Sequence, residues 1–369
     1  MKVGILSMQR VANNGSFLQA YALKTTLERL GADEVEFVDF HNSIVDSSKR
    51  LSIIKFIKKI KHLILPKYWE YEKVLYLRNK FHRMMNQKYQ RTLFPVENNY
   101  LGNKEYDLVI YGSDEVFNIC QFSDLGKDIP WELMGEGSKA KKLISYAAAA
   151  GQTSIHTIEL IGEDGHCKEL LSRFSALSAR DTNTLELLRH FGKCKPELHI
   201  DPVLLLDEFP YDDTYKKLTY KYMVIYAYTL RINSLQEISA IKGYAKKHRL
   251  KTVCINCFQT WCDVSIIASP FALLQYIKDS ECVVTDTFHG TIFSIRNNKR
   301  FATIIRESNS NKLVSLLNQF GLQDRIVSSI SALESILDKD IDYKYVEERL
   351  EKERKKATDY LINQINLWS

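Results

Sequence analysis

No apolar run in the chain approaches the ~18 residues a membrane-spanning helix needs, so no hydrophobic span is expected. A disulfide framework is missing too. The seven cysteines, Cys120, Cys167, Cys194, Cys254, Cys257, Cys262 and Cys282, are odd in number and scattered, which fits a reducing compartment. Cys254 and Cys257 form a CxxC with Cys262 five residues on, but no fourth ligand lies at ordinary zinc spacing. Buried thiols at strand ends are therefore expected there, and no metal site. There is no Gly-x-Gly-x-x-Gly loop, internal repeat or low-complexity tract. No charged segment and long apolar stretch precede the strand-like run at residues 3–7, so no signal peptide is expected and the expected location is the cytoplasm. Excess charge is small as well. The 51 Lys and Arg stand against 45 Asp and Glu, a net of +6 over 369 residues, which does not suggest a nucleic-acid binder.

What is present is α/β rhythm. Hydrophobic residues make up 45% of the chain, enough to fill two cores of ordinary domain size. Residues 3–7 form a short apolar strand, and Asn13-Asn14-Gly15-Ser16 is turn chemistry. Leu18, Tyr21, Ala22, Thr25, Leu27 and Leu30 then recur at helical spacing, Gly31 closes the helix, and residues 35–40 form the next strand. This βαβ unit argues for a parallel sheet. Further strands are predicted at 108–111, 142–147, 176–179 and 198–200. A linker marked by Asp207, Pro210, Asp212 and Asp213 spans 206–217. Strands at 222–228, 251–256, 282–285 and 301–305 then alternate with helices at 234–248, 270–280, 291–297 and 311–320, and a charged amphipathic helix runs from 346 to 365. The expected architecture is α/β: two doubly wound Rossmann-like domains, residues 1–207 and 218–340, followed by a C-terminal helix at 343–369. Such sheets hold ligands beyond the carboxyl ends of their strands, so the expected site is the inter-domain cleft.

One stretch departs from this rhythm. Residues 48–91 carry thirteen Lys and Arg against two acids, Glu70 and Glu72, and read as a basic helical insert. Ile53, Ile57, Ile60 and Ile64 share one helical face, with Lys55, Lys58, Lys59 and His62 elsewhere, and a second helical stretch runs from about 69 to 89. Either the first helix meets anionic lipid headgroups at a membrane surface, or its Ile stripe packs on the domain.

Reactive side chains gather just past predicted strand ends. Arg180, Asp201, Asp286 with His289, Asn13-Asn14-Gly15, and Ser113-Asp114 each follow a different strand. His289 stands where a helix begins. A helix N-terminus binds anions and favours neutral imidazole, and Gly290 leaves room for close backbone approach. The plainer reading is a histidine that caps its own helix. Arg180 can clamp a carboxylate or phosphate with its planar fork, or simply pair with Asp181 or another acid. The Asn13–Ser16 turn can hold phosphate. Asp114 and Asn118 can orient sugar hydroxyls, or cap the next helix. These residues imply a two-domain enzyme with an anion-binding cleft and leave the reaction open.

Seven segments, in order, resemble the polysaccharide pyruvyl transferase family. They are NNGSFLQAYAL at 13–23, GSDEVFN at 112–118, SYAAAAG at 145–151, SARD at 178–181, HIDPVLL at 199–205, TDTFHGTIFS at 285–294 and GLQDR at 321–325. The family more usually carries Gln and Trp where this chain has Glu115 and Phe117, and Glu where it has Asp181. The resemblance implies a GT-B-like fold and transfer of the enolpyruvyl group of phosphoenolpyruvate to sugar hydroxyls, forming a pyruvate ketal in capsule or exopolysaccharide synthesis. It implies phosphoenolpyruvate as co-substrate, no metal or redox cofactor, and a sugar acceptor that in such pathways is commonly lipid-linked at the inner membrane face. On this reading His289 is acid and base, Arg180 clamps the anion, Lys299, Arg300 and the helix start at Gly290 support it, and Asp286 orients His289 or caps the helix. The rival readings are a nucleotide-sugar glycosyltransferase on the same fold, for which Glu307 is the candidate ribose ligand, and a non-catalytic polysaccharide-assembly protein.

Overall fold

A computed structural model describes residues 1–40, 66–91, 94, 99–121 and 129–365. The expected basic helix at residues 53–65 lies outside them. Five parallel strands, β1 (Lys2–Leu6), β2 (Glu34–Val38), β3 (Leu108–Gly112), β4 (Lys142–Tyr146) and β5 (Phe174–Ala176), form the first sheet in the order β2-β1-β3-β4-β5. Two short strands, β6 (Ser178–Ala179) and β7 (Glu197–Leu198), pair with each other, and a parallel bridge from Ala148 to Ala179 joins them to the end of β4. The helices here are α1 (Asn14–Arg29), α2 (Pro66–Met84), α3 (Ile155–Leu160), α4 (Asp164–Leu171), α5 (Thr182–Phe191) and α6 (Pro202–Leu205).

A second parallel sheet follows: β8 (Tyr222–Tyr226), β9 (Lys251–Ile255), β10 (Val264–Ile266), β11 (Cys282–Thr285), β12 (Arg300–Ile304) and β13 (Ile326–Val327), ordered β10-β9-β8-β11-β12-β13. Its helices are α7 (Leu235–Lys247), α8 (Pro270–Asp279), α9 (Phe288–Arg296), α10 (Ser310–Phe320) and α11 (Leu333–Asp338), and α12 (Tyr343–Ile365) ends the described chain. The central strands β3, β8 and β11 are buried along their whole length. That is why they read as unbroken apolar runs, as strands covered by helices on both faces do. Among the described residues no helix is long and apolar enough to cross a membrane.

Some local expectations shift. The single strand predicted at 176–179 is two, because the register between β4 and β5 slips at Leu143/Ile144 and the chain leaves the sheet to pair with β7. The edge strands β10 and β13, three and two residues long, are too short to show a period. Helix α9 starts at Phe288, three residues before the predicted 291, because Thr287 caps it by accepting from the Gly290 N–H. That shift puts His289 in the first turn.

The chain order explains where a ligand can sit. In the first sheet the order reverses between β1 and β3, and in the second between β8 and β11. Neighbouring loops part at such switch points and leave a crevice beyond the strand ends. The two crevices face each other across a packed seam. Phe17 and Tyr21 of α1 meet Phe271 of α8 edge-on at 5.8 and 5.0 Å between ring centres. The last helix crosses back onto the first domain: the Tyr360 hydroxyl donates to the Ser145 carbonyl (2.8 Å), and Arg354 Nε to that of Leu204 (2.9 Å).

One motif of the resemblance has a purely architectural part. Arg325 of the GLQDR segment is fully buried. Its Nη1 donates to the carbonyls of Ile336 and Lys339, both at 2.9 Å, and Nε and Nη2 grip Asp324 at 2.9 and 2.7 Å. The turn before β13, α11 and the turn after it are thereby fastened together. Replacing Arg325 with Met orphans two carbonyls and should lower unfolding free energy by about 3 kcal/mol. An unchanged denaturation midpoint in urea would contradict this assignment.

Candidate active site

A cavity of about 970 Å³ opens between the two domains at these switch points. Asn13 and Ser16 after β1, and Asp114 and Glu115 after β3, line its first-domain side. Tyr228 after β8, Phe288 and His289 after β11, and Lys312 in the first turn of α10 line the other. Arg180, one residue past β6, forms part of its wall.

Arg180 is 5% exposed. Its Nη1 donates to Asp201 Oδ2 (2.9 Å), the Ser113 carbonyl (3.2 Å) and Gln19 Oε1 (3.3 Å), and the guanidinium lies 4.3 Å from the centre of the Phe288 ring. Burial opposes the charge, but Asp201, Asp114 and Asp181 outweigh it and hold the proton more firmly than usual. Asp201 is buried as well and caps α6 through the Val203 N–H. Burial pushes its carboxyl up to about 6 against the pull of Arg180. Arg180 Nε has no partner among the described residues. A buried donor left over in this way, on the wall of a cavity, is suited to an arriving anion.

Gln19 links Arg180 to the histidine. Its Oε1 accepts from Arg180, which leaves the amide nitrogen to meet His289 Nε2. Burial, with Arg180 and Lys312 adding positive field, holds the imidazole well below its ordinary range. His289 is therefore neutral, with Nε2 as an acceptor. The ring lies so close to α1 that a Cβ on Gly15 would fall inside it. Glycine is required at 15 by this close approach, since the Asn13 side chain already caps the helix by accepting from the Gly15 N–H at 2.7 Å.

Lys312 reaches across the cleft to Glu115 at 2.6 Å, and Asn118 supports the same carboxylate at 2.7 Å. Burial alone would raise the Glu115 carboxyl, but Lys312 and Asn118 bring it below its usual value. The departure from Gln at this position thus supplies the negative end of an inter-domain ion pair. Backbone strain marks the same strand ends. Ser113 and Ala147 take positive φ, 52° and 46°, directly after β3 and β4. At Gly112, φ 155°, a Cβ would run into the Tyr146 carbonyl. Strain of this kind persists where the surroundings over-determine the backbone, and it concentrates at functional sites.

Other expected site residues take different places. Asn14 is a tie between domains: it donates to the Tyr226 hydroxyl (3.3 Å) and accepts from Asn256 (3.2 Å). Asn118 faces Glu115 and Thr153, away from the cavity. Asp286 neither orients His289 nor caps α9. Its carboxylate accepts from the Tyr228 N–H at 3.2 Å and faces Arg231 (3.4 Å) and Arg306 (3.6 Å), while Thr287 is the cap. Gly290 leaves room for Thr285 and Thr287, whose side chains a Cβ would strike, and Thr287 takes its N–H. Lys299 and Arg300 do not support an anion in the cleft. Lys299 precedes β12 and Arg300 begins it, at the end of the sheet away from the strand tips, bound to the Ser280 carbonyl (2.8 Å) and to Asp340 respectively. Glu307 is exposed and is not part of the cavity wall. Among the described residues, no three His, Cys, Asp or Glu side chains stand together as a metal site.

Sequence reasoning missed Arg10, Gln19 and Lys312. Arg10 lines the cavity from the loop after β1, nearer the strand end than the Asn13 that was picked out. Lys312 lies two turns of chain beyond β12 and carries no such signal.

Residues 13–308 match the sequence profile of the polysaccharide pyruvyl transferase family. Among curated proteins no sequence match was found. Solved structures of similar shape include S. aureus MnaA with UDP, 14% identical, TM-score 0.49, matched over 100% of this chain and 97% of that one. The UDP-GlcNAc 2-epimerase from Neisseria meningitidis bound to UDP-GlcNAc is 11% identical, TM-score 0.49, matched over 99% of each. The glycosyltransferase SsfS6 of Streptomyces sp. SF2575 with thymidine diphosphate is 11% identical, TM-score 0.46, over 100% of this chain and 99% of that.

The electrostatics make a prediction for the free protein. The His289 imidazole, followed by nitrogen NMR, should remain neutral at its ordinary pKa of 6.5 and protonate only well below it. Lys312→Met should move that titration upward, because it removes a neighbouring positive charge. A ring already half protonated at pH 6.5 would contradict the geometry given for Gln19, Arg180 and His289.

Proposed function

Because the chain belongs to the polysaccharide pyruvyl transferase family, we propose that it transfers the enolpyruvyl group of phosphoenolpyruvate to two hydroxyls of a sugar, forming a pyruvate ketal in the synthesis of a capsule or exopolysaccharide. The observation that carries this reading is the convergence of Arg180 from one domain with Lys312 and a neutral, cation-flanked His289 from the other at the inter-domain cavity. The donor carries a carboxylate and a phosphate, and two cations beside a titratable group meet that demand.

In the proposed reaction a proton goes to C3 of the enol, which becomes a methyl group and leaves C2 electron-deficient. A sugar hydroxyl attacks C2 and gives up its proton. Phosphate then leaves with the C2–O bond pair, and a second hydroxyl closes the ketal, losing the second proton. One proton enters at C3, two leave the hydroxyls, and one ends on phosphate. His289 is the group suited to deliver and collect them. A bound trianion offsets the field of Arg180 and Lys312, which raises the imidazole towards the cation it must become to act as an acid. Arg180 holds the donor through its unpartnered, in-plane Nε–H.

Incubation of the purified protein with phosphoenolpyruvate and a panel of synthetic and lipid-linked glycosides, following phosphate release and acceptor mass, tests the reading. His289→Ala should lower turnover by about 100-fold or more. Arg180→Lys should raise the KM for phosphoenolpyruvate, since lysine lacks the planar fork. A His289→Ala enzyme that keeps more than about a third of wild-type turnover removes the histidine from the chemistry.

A further inference from the structure

The cleft has two unlike halves. Its donor half holds Arg180, Lys312 and His289. The opposite half is closed by the end of the basic insert, where α2 gives way to a wider π-type turn over Met85–Gln90. Hydrogen bonding from i to i+5 in such a turn stacks Asn86 over Arg91 and carries Gln87 and Gln90 round to the same side. All four line the cavity. Turns of this kind are rare and recur at functional sites.

Three observations say what this half is built to hold. Gln90 is 6% exposed, lines the cavity, and its Nε2 has no hydrogen-bond partner among the described residues. A buried amide donor without a partner costs stability unless something arrives to accept from it. Asn86 and Gln87 are exposed at the wall, so the same face offers further amide donors and acceptors. The charged pair beneath them, Arg10 and Asp39, is committed to itself: Nε to Oδ1 at 2.9 Å and Nη2 to Oδ2 at 3.0 Å. Amides with a spare buried donor, over an internally neutralised ion pair and beside an Arg91 that is itself engaged, match a ligand rich in hydroxyls and without charge.

We infer that the π-type turn of the insert forms the acceptor subsite, holding one neutral pyranose through Asn86, Gln87 and Gln90 opposite His289. This rests on the proposed transfer to a sugar. The insert then selects the acceptor, while the two domains hold the donor.

The test uses the full chain and four probes: methyl β-glucopyranoside, methyl β-galactopyranoside, methyl β-mannopyranoside and methyl β-glucuronide. Their binding is read by saturation-transfer NMR, and phosphoenolpyruvate affinity is measured separately by calorimetry on the same proteins. At least one neutral pyranoside should bind. Asn86→Ala combined with Gln87→Ala, at exposed positions that the fold does not depend on, should weaken it by about five-fold or more, and so should Gln90→Leu. Phosphoenolpyruvate affinity should stay the same. Unchanged pyranoside affinity in the variants, no neutral pyranoside bound by wild type, or tighter binding of the glucuronide would each overturn the inference. Pyranoside binding that the variants weaken, in a protein that ignores phosphoenolpyruvate, sinks the donor assignment and leaves the subsite standing.

Discussion

The guanidinium of Arg180 is a full charge buried where two domains meet, and much of the cleft follows from keeping it there. A charge so placed needs compensating charge and hydrogen bonds from several directions. Asp201 supplies the charge, the Ser113 carbonyl and Gln19 supply acceptors, and Phe288 supplies a π face. Each of these comes from a different strand end or helix. Ser113 takes positive φ directly after β3, where its carbonyl accepts from Arg180. Gln19 links the arginine to the second domain through His289. The site is thus a consequence of folding both domains at once, and neither half contains it alone.

The same arrangement explains why the histidine is neutral without a ligand. Two cations and deep burial disfavour its protonation. The neighbouring acids Asp114, Asp181 and Asp201 do not reverse this, because their charge acts on Arg180. A ligand that brings negative charge changes that balance in one step. The inter-domain pair of Lys312 and Glu115 adds a second dependence on domain position. A shift of one domain against the other moves Lys312, together with His289, relative to Glu115.

The architecture was legible because its strands are buried on both faces and end in turn-forming or charged residues. Unbroken apolar runs at β3, β8 and β11, followed by Ser-Asp, Ala-Tyr and Asp-Thr respectively, announce parallel strands and their functional ends. Arg180, His289, Asp201, Asn13, Ser113 and Asp114 all gather around the cleft for that reason. Lys299 and Arg300 precede the predicted strand at 301–305, so the strand-end rule itself puts them away from the cleft; they were set beside the anion by the resemblance alone. Asp286 was expected to orient His289 or to cap the helix, but its carboxylate meets Arg231 and Arg306 instead, and Thr287 is the cap. Gln19 and Lys312 were invisible as site residues because each reaches the cleft from a helix whose pattern reports only its packing.

The central claim is that an anion entering between Arg180 and Lys312 turns His289 from acceptor to acid. Calorimetric titration of phosphoenolpyruvate near neutral pH, in two buffers of different ionisation enthalpy, measures this directly through the protons exchanged on binding. The account predicts net proton uptake that His289→Gln abolishes. Binding with no proton exchange, or uptake that persists in the His289→Gln protein, would contradict it.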